Sequence, residues 1–181
     1  MIQRSRNGRS FYFALPVVLI FIFSTSSILS QEIPPDDIAP PPIKQLSKTE
    51  KSQLDAEDEV KKRTKLALDL MDLRLKKAEE LHSRQEFPEM FLELGGFHGL
   101  MDNTLEFLNR SVRSEGGKVL NNFKRLEIGL RMFTPRLEII RRDLPQRFEF
   151  YPRNLIKYLR DARSKAIEPF FGNTVIPNRK T

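Results

Sequence analysis

The chain has 181 residues, 39% apolar and 30% charged, with a formal net charge of +7 and no cysteine. That is room for one domain with extensions, and too much hydrophobe for a fully disordered chain. Without cysteine there is no disulfide, thiolate metal site, covalently attached haem or lipoprotein-type anchor, so a packed core alone must hold the fold.

The first thirty residues have the order of a secretory leader. Arg4, Arg6 and Arg9 form a positive start, Phe11 to Phe23 is an apolar run broken only by Pro16, and Ser24 to Ser30 supplies small residues for cleavage. The expectation is a signal peptide over 1–30, cut near Ser30, and export to the periplasm or the medium. Counting the apolar run on to Leu29 gives it the length of a membrane span, so an uncleaved anchor is the competing expectation. Residues 31–46 contain Pro34, Pro35 and Pro40 to Pro42 and read as an extended, flexible spacer that packs no core. The domain proper is then 47–171, with a loose tail over 172–181.

Ser47-Lys48-Thr49-Glu50 is a capping box, in which serine and glutamate satisfy each other's free amides. It opens a first helix that ends near Ser83, with a second start available at Asp55. Glu57, Asp58 and Glu59 stand four residues before Lys61, Lys62 and Arg63, the favourable orientation for pairs on one helix face. Leu68, Met71, Leu75 and Ala78 form the seam of this helix. Phe87-Pro88 starts a second one, proline being tolerated in a first turn. Its heptad runs Phe87, Phe91, Leu94, His98, Met101, Leu105, Leu108, Val112. Gly95, Gly96 and Gly99 interrupt it, each costing about 1 kcal/mol against alanine. They either break the helix or let a neighbouring helix approach closely, and close approach is the expectation.

After the turn Ser111 to Gly117 comes the most regular stretch of the chain. Val119, Phe123, Leu126, Leu130, Phe133, Leu137, Ile140 and Leu144 follow at alternating spacings of four and three, an apolar seam set in a coat of arginines. Pro135 falls opposite this seam. Pro145 ends the helix, Gln146 to Tyr151 reads as an aromatic loop, and a last helix runs from Pro152 to Pro169 with Leu155, Leu159, Ala162 and Ala166 on one face. The sum is an all-α, up-and-down bundle of about four helices. The first two helices resemble one tetratricopeptide unit in layout. Met90 and Phe97 stand where that repeat wants small residues, no second copy follows, and the resemblance implies a helical hairpin and no function.

Little in the chain points to catalysis. There is no nucleophile elbow, no His-Glu-x-x-His and no glycine-rich phosphate loop, so an enzyme is not expected. Glu79 and His82 form one Glu-x-x-His unit, but a bundle di-iron site wants two, and Gly95 stands three residues before His98. No metal or cofactor is expected. His98, on an apolar seam, reads as a buried and hydrogen-bonded core histidine. Its rivals are ligation of a non-covalent haem opposite Met71 or Met101, and a pH-sensitive contact.

Charge and a second stripe carry what functional content there is. Residues 31–114 hold 13 basic and 17 acidic side chains, residues 115–181 hold 15 and 7. A basic half attracts anionic lipid headgroups or acidic polymers, although Glu127–Arg131 and Glu138–Arg142 have the spacing of internal pairs. Specific nucleic-acid binding is not expected. Behind the seam of the third helix, Ile128, Met132, Pro135 and Ile139 form a second apolar line. It is either covered by Phe148, Phe150, Tyr151, Phe170 and Phe171, or left for a protein partner or self-association. In the second case the candidate surface is Ile128, Met132 and Ile139 with Arg131, Arg136 and Arg142 at its rim. The expected role is a non-enzymatic interaction or scaffold module of the cell envelope. The alternative is a binder of an anionic surface or small cofactor through the basic half or His98.

Overall fold

Residues 37–171 are described by the computed structural model, without the side chains of 113–115, 118, 169 and 171. The expected leader, residues 31–36 of the spacer and the tail lie outside the described residues. Among those described there are five α-helices, a 3-10 turn at Gly116–Val119 and no strand. The helices are α1 (Lys48–Asp55), α2 (Val60–Ser83), α3 (Phe87–Glu115), α4 (Leu120–Arg142) and α5 (Gln146–Phe171). None among the described residues is long and apolar enough to cross a membrane.

The capping box forms as expected: Ser47 Oγ accepts from the Glu50 amide at 3.1 Å and Glu50 Oε2 accepts from the Ser47 amide at 2.7 Å. The helix it opens is nevertheless short. A carboxylate oxygen of Glu57 accepts from the Glu59 amide at 3.0 Å, a local bond that competes with helix continuation, and α2 starts only at Val60. The three expected acid–base pairs are therefore not formed in that register. Lys62 pairs with Glu59 at 2.8 Å and Arg63 reaches back to Asp55 at 3.2 Å.

Four long helices carry the core. All eight seam residues from Val119 to Leu144 are buried, as are Phe91, Leu94, His98, Met101, Leu105 and Leu108 of α3. Chain direction alternates, but the neighbours are set by two hairpins, α2–α3 and α4–α5, laid side by side. A Cβ on Gly129 would meet Leu68, and Arg136 bonds Asp72 and Glu79, so α2 and α4 run parallel. Phe91 meets Phe148, and Asp102 meets Tyr158, so α3 and α5 also run parallel. Phe97 on Phe133, edge to face at 5.5 Å, joins α3 to α4 through the middle.

Three further segments depart from the sequence expectation, the first being the turn expected from Ser111, where α3 instead continues to Glu115. The aromatic stretch after Pro145 is not a loop but the first turns of α5, because Phe148, Tyr151, Leu155, Leu159, Ala162 and Ala166 make one continuous buried or half-buried face. Nor does Pro169 stop that helix, which continues to Phe171. The proline-rich stretch, from residue 37 on, is not a free spacer either. It crosses α3 as a strap: Ala39 is buried, its amide donates to the Arg147 carbonyl at 2.9 Å, and Leu46 packs on the core. Prolines suit this position because they have no amide to leave unpaired on a helix face and little chain entropy to lose.

The glycines of α3 explain the fit. A Cβ on Gly95 would lie 2.4 Å from the Ile43 carbonyl oxygen, and one on Gly99 would lie 3.1 Å from the Lys44 backbone. Close approach is thus what they permit, but to the strap and not to another helix. Gly96 instead admits the Arg74 side chain. Arg74 holds both carboxylate oxygens of Glu50 and one of Glu93, each at 2.7 Å, tying α1, α2 and α3 together. Burial alone would raise the Glu50 carboxyl; the Arg74 guanidinium and Ser47 hold it below its ordinary value.

Candidate functional site

Nothing among the described residues covers the outer face of α4. Ile128, Met132 and Ile139 are 47%, 66% and 61% exposed, and Pro135 between them is exposed as well. The expected covers that are described lie elsewhere, and the Phe171 side chain lies outside the described residues. Phe148 packs on Phe87 and Phe91, and Tyr151 on Phe91, so the aromatic start of α5 serves α3. Phe150 and Phe170 are themselves exposed. A proline in mid-helix loses nothing further by facing solvent, since the amide it lacks leaves a carbonyl that water can satisfy.

Of the three rim arginines the structure keeps two. Arg136, one residue past Pro135, is turned toward α2, where it clasps Glu79 at 2.6 and 2.7 Å and Asp72 at 2.6 Å. It is a tie between helices and not part of the surface. Arg131 lies at the rim, largely exposed, and meets Glu127 at 2.8 Å as its spacing predicts. Glu127 is buried and also takes Arg163 at 2.9 Å. Arg142 is exposed and has no acidic partner among the described residues. The expected Glu138–Arg142 pair is replaced, because Glu138 faces α5 and binds Arg141 at 2.9 Å and Arg160 at 3.0 Å.

Beside this stripe, between α4 and α5, runs a groove of about 410 Å³ lined by Arg141, Arg153, Asn154, Lys157 and Arg160 with Glu138. Glu149 takes Arg141 and Arg153, so two carboxylates serve three arginines and Lys157 has no acidic partner among the described residues. Sequence reasoning missed this groove. Arg153, Lys157 and Arg160 follow at spacings of four and three within the last helix as expected from Pro152, and that was the available signal.

His98 is buried, as its seam position predicts. Its Nδ1 lies 3.3 Å from the Tyr151 hydroxyl, which also reaches the Leu94 carbonyl at 3.5 Å, and the Tyr158 ring lies 4.4 Å away, centroid to centroid. The other nitrogen, Nε2, has no hydrogen-bond partner and stands 3.9 Å from Asp102 Oδ2. Asp102 accepts from the Tyr158 hydroxyl and pairs with Lys44 of the strap at 3.3 Å. Burial pushes His98 down to about 4, against the pull of Asp102 and with Lys44 adding to the depression. Burial and the Asp102 carboxylate together push the Tyr158 hydroxyl up to about 12. Met71 and Met101, the conjectured axial partners, are both core residues.

Glu79, half of the Glu-x-x-His unit, is occupied by Arg136. Among the described residues no group of three or more histidines and acids is placed to hold a metal ion. Compared with protein-family models, with curated proteins and with solved structures, the chain matches none.

Proposed function

We propose that the protein is an exported, non-enzymatic interaction module that holds a protein partner on the outer face of α4. One observation carries this: Ile128, Met132 and Ile139 stand in line and uncovered, with Arg131 and Arg142 at the edge. Large apolar side chains return about 1.5–3 kcal/mol each when fully buried, which is the gain a partner would collect. The cations at the rim select that partner. It presents an apolar ridge flanked by carboxylates, and a second copy of this chain is disfavoured because it would bring Arg131 and Arg142 against their own kind. Export rests on the leader-like order of the first thirty residues, with anchoring by that same segment as the alternative.

The test is site-specific photo-crosslinking in the native cell. A photoreactive residue at Met132 should give a defined adduct, and the same residue at Leu73 on the outer side of α2, also exposed, should not. The adduct should disappear with Arg142→Glu and survive Lys62→Glu. No adduct at 128, 132 or 139 would remove the reading.

The groove between α4 and α5 supports a second reading, the binding of anionic headgroups or acidic polymers. Its unpaired Lys157 and shared arginines suit phosphate or carboxylate groups. Salt-sensitive binding to anionic vesicles, lost in Lys157→Glu but kept in Met132→Asp, would favour it over the protein partner.

A further inference from the structure

We propose that the groove between the strap and the start of α5 binds a hydrocarbon chain ending in a carboxylate, a ligand of the fatty-acid class, with Arg147 holding its head. The groove has a volume of about 510 Å³, within the range of small-molecule sites. Its walls are Pro40, Pro41, Pro42, Pro88, Phe91 and Phe148. Proline offers no amide hydrogen, so these walls give the oxygens of a polar ligand body few donors in exchange for the water they would lose. A hydrocarbon chain loses nothing there.

Two further observations point the same way. Ile43 and Leu92 stand at the lip of the groove, 74% and 62% exposed, and extend the apolar track outward. None of the lining residues is acidic, and the single cation is Arg147. Its guanidinium lies over the Phe148 ring at 5.2 Å and has no acidic partner among the described residues. α5 begins one residue earlier, at Gln146, so the positive end of that helix adds to the same field. A guanidinium offers paired N–H groups that match the two oxygens of a carboxylate. The walls are also fixed before any ligand arrives: the strap is pinned through the Ala39 amide to the Arg147 carbonyl and seated on Gly95. A preformed groove spends no ordering entropy on binding.

The experiment titrates the purified full chain with dansylaminoundecanoate below its micelle concentration, following fluorescence. Saturable binding at a single site is expected, displaced by dodecanoate. Arg147→Gln should weaken it about tenfold, the loss of one charge-assisted contact. Leu92→Asp should abolish it with an unchanged circular dichroism spectrum, since Leu92 is exposed and the fold does not depend on it. Met132→Asp should leave it intact, and methyl dodecanoate should displace the probe poorly. Equal binding by wild type and Leu92→Asp would overturn the site. Displacement by methyl dodecanoate as effective as by dodecanoate would overturn the role of Arg147, and dodecyl phosphate binding tighter than dodecanoate would overturn the carboxylate. Dimerisation that shields Leu92 with no probe bound would give the groove to a second copy and overturn the ligand altogether.

Discussion

The outer faces of α3 and α4 differ in how each is covered. On α3 the outward line is Pro88, Leu92, Gly95 and Gly99, and the chain's own strap lies along it with backbone atoms in contact with the helix. On α4 the outward line is Ile128, Met132, Pro135 and Ile139, and nothing among the described residues lies on it. Apolar surface made of glycine can be closed by a bare backbone, because there is no side chain to hold the chain off. Apolar surface made of isoleucine and methionine needs side chains to interlock with it, and the strap, with three prolines and an alanine at its middle, has few to offer. The glycine stretch of the first face is finished within the molecule, with Leu92 left exposed; the second has no cover among the described residues.

The largest effect should come from undoing the finished side. Arg74→Ala leaves the buried carboxylates of Glu50 and Glu93 short of their shared partner, with only Lys77 still on Glu93, at 2.6 Å. Removing one member of such a buried cluster costs about 3–5 kcal/mol, measurable by urea unfolding. Arg131→Ala, on the α4 side, should cost under about 1 kcal/mol, because the side chain is exposed and Glu127 keeps Arg163. Equal losses would mean that the two faces are not built differently.

Acid should act on the finished side too. His98 is held down to about 4 from an ordinary 6.5, so it is neutral in the fold while the unfolded chain takes up a proton. The unfolded state then binds more protons between those values. Stability is full above 6.5 and is lost as pH falls toward 4, at no more than about 1.4 kcal/mol per pH unit. The groups facing this ring are Tyr151 and Tyr158 of α5, Asp102 of α3 and Lys44 of the strap. In His98→Leu the slope should flatten across this window, as read from urea midpoints at several pH values. Glu50 and Glu127, both held low, add their own losses at more acid pH.

Glycine substitutions sharpen the contrast with a smaller effect. Alanine gains about 1 kcal/mol over glycine inside a helix. At Gly95 that gain meets the Ile43 carbonyl at 2.4 Å, a backbone atom that cannot swing aside, and Gly95→Ala should be net destabilising by about 1–2 kcal/mol. At Gly129 of α4 the added carbon meets the end of the Leu68 side chain, also at 2.4 Å. That methyl can turn away, so Gly129→Ala should be neutral or slightly stabilising. Thermal melts of the two mutants test the strap directly.

What the sequence could show follows from how local each signal is. Heptad spacing is local, and every seam residue of α4 and nearly all of that in α3 is buried. The capping box is local and forms. The strap was not legible, since a proline run reads as a spacer until the glycines opposite it, some fifty residues further on, are seen to receive it. The start of α5 was missed because Pro152 reads as a helix start, whereas burial of Phe148 and Tyr151 against α3 holds the turns before it. That one misplaced boundary hid Tyr151 beside His98 and the fact that the aromatic cluster faces away from α4. Of the candidate surface, Ile128, Met132, Ile139, Arg131 and Arg142 share the exposed face, and Arg136 does not, because its partners lie on α2.

The smallest expected effect on stability is the most informative about the bare side. Met132 makes few contacts that a charge would disturb, being 66% exposed. Met132→Asp should therefore change unfolding free energy by less than about 0.5 kcal/mol, as surface substitutions usually do. Asp also places a carboxylate beside Arg131 and between Ile128 and Pro135, so a partner with acidic flanks would meet a like charge at the centre of its contact. Capture of that partner should fall sharply while the melting curve stays put. Leu137→Asp supplies the comparison on the same helix: Leu137 is fully buried in the seam, and a carboxylate there should unfold the chain. If Met132→Asp unfolds it as well, the outer line of α4 is interior in the native protein. In that case both faces are finished alike, and the interaction reading loses its surface.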